Sequence, residues 1–85
     1  MIAVYELYRT DTFDSDLKAL DSKTKGALKK IIYRLIADPT RFKPLRGKTS
    51  HYRVRLGVYR MVYKIEGERI TLMYVKKRDV VYAKI

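Results

Sequence analysis

The apolar residues of this 85-residue chain change period at a connector bounded by Pro39 and Pro44, and that change restricts the possible folds more than any other feature. Before it, Ala27, Leu28, Ile31, Ile32, Leu35 and Ile36 trace one stripe at the spacing of an α-helix. After it, Tyr52, Val54 and Leu56, and then Tyr59, Met61 and Tyr63, alternate with polar residues as on strands exposed on one face. A chain with helical periodicity first and strand periodicity second reads as an α+β domain, its helices gathered on one face of a sheet.

The rest of the chain fits that frame. Ile2 to Arg9 is β-branched and aromatic and reads as a strand that ends at Thr10-Asp11-Thr12. Those residues offer capping oxygens for a helix over about 11 to 20, whose Phe13, Leu17 and Leu20 recur at helical spacing. Asp14 and Asp16 suit the positive end of its dipole. The second helix starts at Asp21 or Ser22 and stops at Asp38, because the residue before a proline disfavours helical geometry. Joined by almost no loop, the two form an antiparallel hairpin with one apolar side.

Residues 39 to 49, P-T-R-F-K-P-L-R-G-K-T, read as an irregular connector whose cations make it a candidate contact loop. Strands follow at about 51 to 57, 59 to 65 and 69 to 76, with Gly57 and Glu66-Gly67 as tight turns. The run I-T-L-M-Y-V near 70 to 75 is apolar on both faces and should lie inside the sheet. A last extended piece is expected over about 80 to 83. The predicted fold is thus a small antiparallel sheet of order β-α-α-β-β-β with a helical hairpin on one face, a single domain over residues 1–85.

Several classes of function are disfavoured by what the chain lacks. Without cysteine it has neither disulfides nor a thiolate metal site, and with His51 alone it has no histidine pair for a metal and no Ser-His-Asp triad. The spacing of Asp11, Asp14, Asp16 and Asp21 is not that of a calcium loop, and the four glycines are too scattered for a phosphate loop. We therefore expect no metal and no cofactor. Apolar runs far short of the roughly 20 residues of a membrane helix, and no signal pattern, point to a cytoplasmic protein. The absence of Asn and Gln beside abundant charge is a bias of proteins from hot environments.

Charge then supplies a direction. The net charge is +11, and it is not spread evenly. Residues 1 to 40 hold seven Lys/Arg against six Asp/Glu, whereas residues 41 to 85 hold thirteen against three. Such a half attracts polyanions. Alternation turns Arg53 and Arg55 to the face opposite Tyr52, Val54 and Leu56, and sends Arg60, Val62 and Lys64 to that same open face. Like charges side by side cost up to about 1 kcal/mol per cross-strand pair, so the cluster is better explained by a polyanion than by folding. Arginine at 53, 55 and 60 adds a planar fork that grips phosphate oxygens in pairs. Lys76, Lys77 and Arg78 form a second basic cluster, followed by Tyr82, which can act as a base if its phenolate is stabilised or can stack on a nucleobase.

Three segments, L-R-G at 45 to 47, Y-R-V-R-L-G-V-Y-R-M-V-Y at 52 to 63 and V-K-K-R-D-V-V-Y at 75 to 82, together resemble the RelE/ParE superfamily of toxins, particularly its RelE branch. The resemblance covers nearly the whole chain. It implies a small α+β toxin of a type II toxin–antitoxin system that enters the ribosomal A site and cuts messenger RNA without a metal. It also implies a RelB-like antitoxin encoded alongside. By position, Arg53, Arg55, Arg60, Arg78 and Tyr82 become the catalytic set, with Tyr82 as base, Arg60 and Arg53 as phosphate clamps, and Arg78 supporting the leaving group. Arg46, Lys48, His51, Lys64, Lys76 and Lys77 become RNA contacts. Positions 53 and 55 are commonly lysine in the family, and 77 is commonly histidine. The rival expectations are a ParE-like inhibitor of DNA gyrase on the same fold and a non-catalytic RNA-binding module.

Overall fold

The computed structural model describes residues 5–45, 47 and 50–77. Its elements in chain order are β1 (Glu6–Arg9), α1 (Asp11–Lys18), α2 (Ser22–Ala37), β2 (Lys43–Pro44), β3 (His51–Leu56), β4 (Tyr59–Glu66) and β5 (Arg69–Lys77). The expected extended piece at 80 to 83 and the first residues of the expected N-terminal strand lie outside the described residues.

The helices start and stop where short-range chemistry dictates. Thr10 caps α1, its Oγ1 accepting from the Phe13 amide at 3.0 Å. Asp21 precedes α2 in extended geometry, and Asp38, ahead of Pro39, ends it. Both helices pack on one face of the sheet. Phe13, Leu20, Leu28 and Leu35 meet Val54, Leu56, Met61, Tyr63, Ile70, Leu72 and Val75 in a single buried core. Removing eleven such side chains from water is the main stabilising term for a domain of this size.

The α+β class and the helix pair on one face stand as expected, but the sheet is mixed rather than wholly antiparallel. Its strand order is β1-β5-β4-β3-β2, and β1 runs parallel to β5. β5 therefore lies inside the sheet, in keeping with its two apolar faces. The connector also departs from the expectation of irregular structure, because Lys43 and Pro44 pair with Arg53 and Tyr52 as a two-residue edge strand. Proline is tolerated there because an edge strand leaves one side of its backbone without a ladder partner. The turns after β3 and β4 use Gly57 and Gly67 at φ 61° and 60°, a backbone region that side-chain-bearing residues rarely adopt.

One irregularity decides which side chains reach the functional face. Between β4 and β5, Val62 pairs with Tyr74 but Tyr63 pairs with Leu72, so Met73 is an extra residue on β5. Strict alternation would group Tyr74 with Ile70 and Leu72. With the bulge, Val75 joins those two in the core and Tyr74 turns to the opposite face. The bulge is fixed from α1 and its approach: Thr10 Oγ1 donates to the Met73 carbonyl at 2.5 Å, and Asp16 Oδ2 accepts from the Val75 amide at 3.2 Å. Asp16, expected to serve the helix dipole, instead satisfies the β5 edge where β1 has ended.

Candidate active site

The sheet face away from the helices is a grid set by register. One row across the strands is Arg55, Arg60 and Lys76, and the next is Lys43, Arg53, Val62 and Tyr74. A third holds His51, Lys64 and Thr71. Arg53, Arg55, Arg60 and Lys64 thus share a face, with further cations beside them. A cleft of about 390 Å³ opens over this region, and five of its seven lining residues are cations: Arg41, Lys43, Arg53, Arg55 and Arg60. Among the described residues no carboxylate lines it.

Arg60 corrects the expectation of an open, solvated row. It is only 2% exposed, and Val62 two residues on is fully buried. β4 is the middle strand, and Arg55 and Lys76 flank Arg60 directly across the two ladders. A guanidinium held at this cleft presents a planar set of donors, which matches the oxygens of a phosphate. The cleft is built to receive an anion.

Other predicted contacts fare differently. The Lys76 ammonium is held by Asp16 Oδ1 at 2.9 Å in a half-buried ion pair, so this lysine braces α1 against β5 instead of offering an open RNA contact. Lys77 lies opposite Tyr59 and so on the helical side of the sheet, away from Arg60. Lys64 pairs with Glu66 at 3.2 Å, which halves its value to a polyanion. His51 is half-buried opposite Lys64 at the far end of the grid. Arg46, Lys48, Arg78 and Tyr82 lie outside the described residues.

Arg41, Lys43 and Tyr74 are cleft or face residues that pattern reading did not single out. The first two are carried in by an aromatic anchor on the helical side. Tyr63 Oη donates to the Pro39 carbonyl at 2.5 Å, Tyr52 stacks on Tyr63 with centroids 5.5 Å apart, and Phe42 meets Tyr63 edge-on at 6.4 Å. That clamp pins the connector beside β3, and the Arg41 guanidinium rests 5.9 Å from the Phe42 ring centroid. The signal available in the sequence was Phe42, an aromatic between two cations in a supposedly solvated loop. Burial pushes the Tyr74 phenol up, against the opposing pull of Arg60 and Lys76, so it stays protonated at neutral pH.

Among the described residues no three His, Cys, Asp or Glu side chains gather as a metal site, and no helix is long and apolar enough to cross a membrane. What the cleft can do is bind a phosphodiester and stabilise negative charge growing on it.

The fold is shared with known toxins. A family model for the ParE toxin of the parDE type II toxin–antitoxin system matches residues 7–82. The chain belongs to this family, within the RelE/ParE superfamily, and is a toxin of a type II system. Among solved structures, the isolated Escherichia coli RelE toxin is 26% identical with a TM-score of 0.80, covering 95% of this chain and 94% of that one. The toxin–antitoxin complex RelBE2 from Mycobacterium tuberculosis matches at 28% identity and TM-score 0.75, over 88% of this chain and 99% of the other. The intact E. coli RelBE complex matches at 25% and 0.79, over 87% and 96%. No curated protein matches the chain.

Proposed function

We propose that this toxin is a RelE-like endoribonuclease that cuts messenger RNA on the ribosome. The observation that carries the reading is Arg60, buried between Arg55 and Lys76 at a cleft lined by five cations. In the proposed step a ribose 2′-oxygen attacks the adjacent phosphorus and the bond to the 5′-oxygen breaks. The products are a 2′,3′-cyclic phosphate and a free 5′-hydroxyl. Arg60 and Arg53 hold the phosphate and stabilise its developing charge, and Arg55 orients it. The proton lost by the 2′-oxygen passes to the phenolate form of Tyr82, and the departing 5′-oxygen, its charge supported by Arg78, takes a proton from water, with the roles of Tyr82 and Arg78 assigned from the family resemblance. A guanidinium is a poor proton relay, so the part of Arg53 and Arg55 is electrostatic.

The antitoxin partner has a second surface. An apolar groove of about 520 Å³ runs along the helical side between β1, α1 and α2, lined by Leu7, Leu17, Leu28, Ile32, Tyr33 and Ile36. Lys18, Lys25 and Lys29 rim it. An apolar floor with a basic rim fits an amphipathic helix whose polar edge is acidic, and we assign the groove to the antitoxin.

A gyrase-directed activity is the second reading, favoured by the match to the ParE model. In vitro translation with mapping of messenger 5′ ends separates the two. Ribosome-dependent cuts that vanish in Arg60→Ala and weaken in Tyr82→Phe support cleavage. Intact messenger together with arrested supercoiling moves the assignment to gyrase.

A further inference from the structure

We propose that Tyr74 is a base-stacking residue of this face, its ring taking a nucleobase beside the phosphate held at Arg60. The inference rests on the RNA-cleavage reading and adds a contact that reading does not contain. Its first support is placement. The extra residue at Met73 is what turns Tyr74 away from Ile70 and Leu72, and side chains from Thr10 and Asp16 hold the strand on either side of it. Orientation of this ring is therefore fixed before any ligand arrives.

Its second support is position in the grid. Tyr74 lies directly across from Val62, and Lys76, two residues further on, lies across from Arg60. That makes Tyr74 and Arg60 diagonal neighbours, with a backbone separation of roughly 7–8 Å that long side chains bridge readily. The proximity is felt electrostatically, since Arg60 and Lys76 both act on the Tyr74 phenol. The ring is half-buried, on the face away from α1 and α2. Single-stranded RNA is commonly held in this way, with cations on the backbone and an aromatic face under an unstacked base. A protonated phenol suits stacking and does not suit general-base chemistry.

The competing role is structural, because Tyr74 also covers the fully buried Val62. The test compares wild type, Tyr74→Phe, Tyr74→Leu and Arg60→Ala binding a short single-stranded RNA with 2-aminopurine beside the phosphodiester, read by anisotropy and by quenching, with thermal melts in parallel. Stacking predicts that wild type and Tyr74→Phe quench alike, while Tyr74→Leu leaves the probe bright, binds about tenfold more weakly and melts as wild type does. Equal quenching by Tyr74→Leu overturns the proposal, as does a Tyr74→Phe variant as weak as Tyr74→Leu, which would assign the contact to the hydroxyl. Weakened binding matched by a lowered melting point makes the cover of Val62 the role instead. A wild type that ignores RNA, with Arg60→Ala no different, overturns this contact, whereas the cleavage reading stands or falls separately on ribosome-dependent 5′ ends.

Discussion

The two sides of the sheet place buried surface next to opposite chemistry. On the helical side the core is apolar, and the stripe on α2 is wider than the sheet it covers. Leu28 and Leu35 are sealed while Tyr33 is 65% exposed and Ile36 is 36% exposed. On the other side, an arginine is buried nearly as deeply, beside Val62 and with Arg55 and Lys76 across the two ladders. The helical side has stability in hand and spare apolar surface for a protein partner. The open side gathers cations around a cleft, and a change on one side should leave the other side's task intact.

The strongest challenge to that division is Arg60→Ala. Removing a guanidinium that meets the transition state should lower cleavage by about 10²–10³, the usual cost of one such group. Antitoxin affinity should hold. The variant should still melt cooperatively, because the apolar core on the helical side carries the fold. A variant that loses cleavage only because it unfolds would contradict the reading of Arg60 as a site group, and melting curves beside 5′-end mapping decide the point.

The mirror test lies on the groove. Tyr33→Glu puts a carboxylate on an exposed apolar position that no core residue needs. Loss of an aromatic anchor costs a protein interface about 2 kcal/mol or more, so antitoxin binding should weaken roughly 30-fold or beyond. Cleavage in the absence of antitoxin should be unchanged. Titration calorimetry that finds unaltered affinity would move the antitoxin off the groove.

How far the sequence anticipated this architecture follows from the range of the interactions involved. Local signals were sufficient for α2, where the stripe, Asp21 and Pro39 fix both ends, and for β3 to β5, where alternation and two glycines fix the turns. Alternation also placed Arg53, Arg55 and Arg60 together. It missed the depth of Arg60, because burial is a property of the whole packed domain that no local pattern carries. The parallel pairing of β1 with β5 was missed for the same reason. It missed Tyr74, because one extra residue at Met73 inverts the facing of everything beyond it, and the side chains that hold the bulge come from Thr10 and Asp16, about sixty residues earlier. Lys76 failed likewise: its partner Asp16 reads locally as a helix-dipole residue.

Thr10 ties the two sides together, and its removal sharpens the comparison at a smaller scale. Thr10→Val deletes both the α1 cap and the hydrogen bond to the Met73 carbonyl. Each is worth about 1 kcal/mol, so the stability deficit should approach 2 kcal/mol in denaturant titration. If the bulge relaxes, Tyr74 and Val75 lose their facing, and RNA affinity should fall although Thr10 touches neither cleft nor groove. A stability loss with unchanged RNA binding would show that the strand keeps its bulge without the hydroxyl.

The smallest expected effect concerns the anchor that brings Lys43 to the cleft from the helical side. Tyr63→Phe keeps the ring stack with Tyr52 but loses the hydrogen bond to Pro39, about 1 kcal/mol at neutral pH. The wild-type phenol is buried, and burial pushes its ionisation well above the usual 10.0, with Tyr52 and Asp38 adding to the shift. A folded value above the unfolded one means the neutral form is favoured in the fold. Its contribution is complete below pH 10 and is lost as the pH climbs beyond that. The gap in thermal midpoint between wild type and Tyr63→Phe should therefore be flat through neutral pH and close on the alkaline side. A gap that instead stays constant to high pH would mean that the Tyr63 hydroxyl reaches solvent, and that something other than this bond holds the connector against β3.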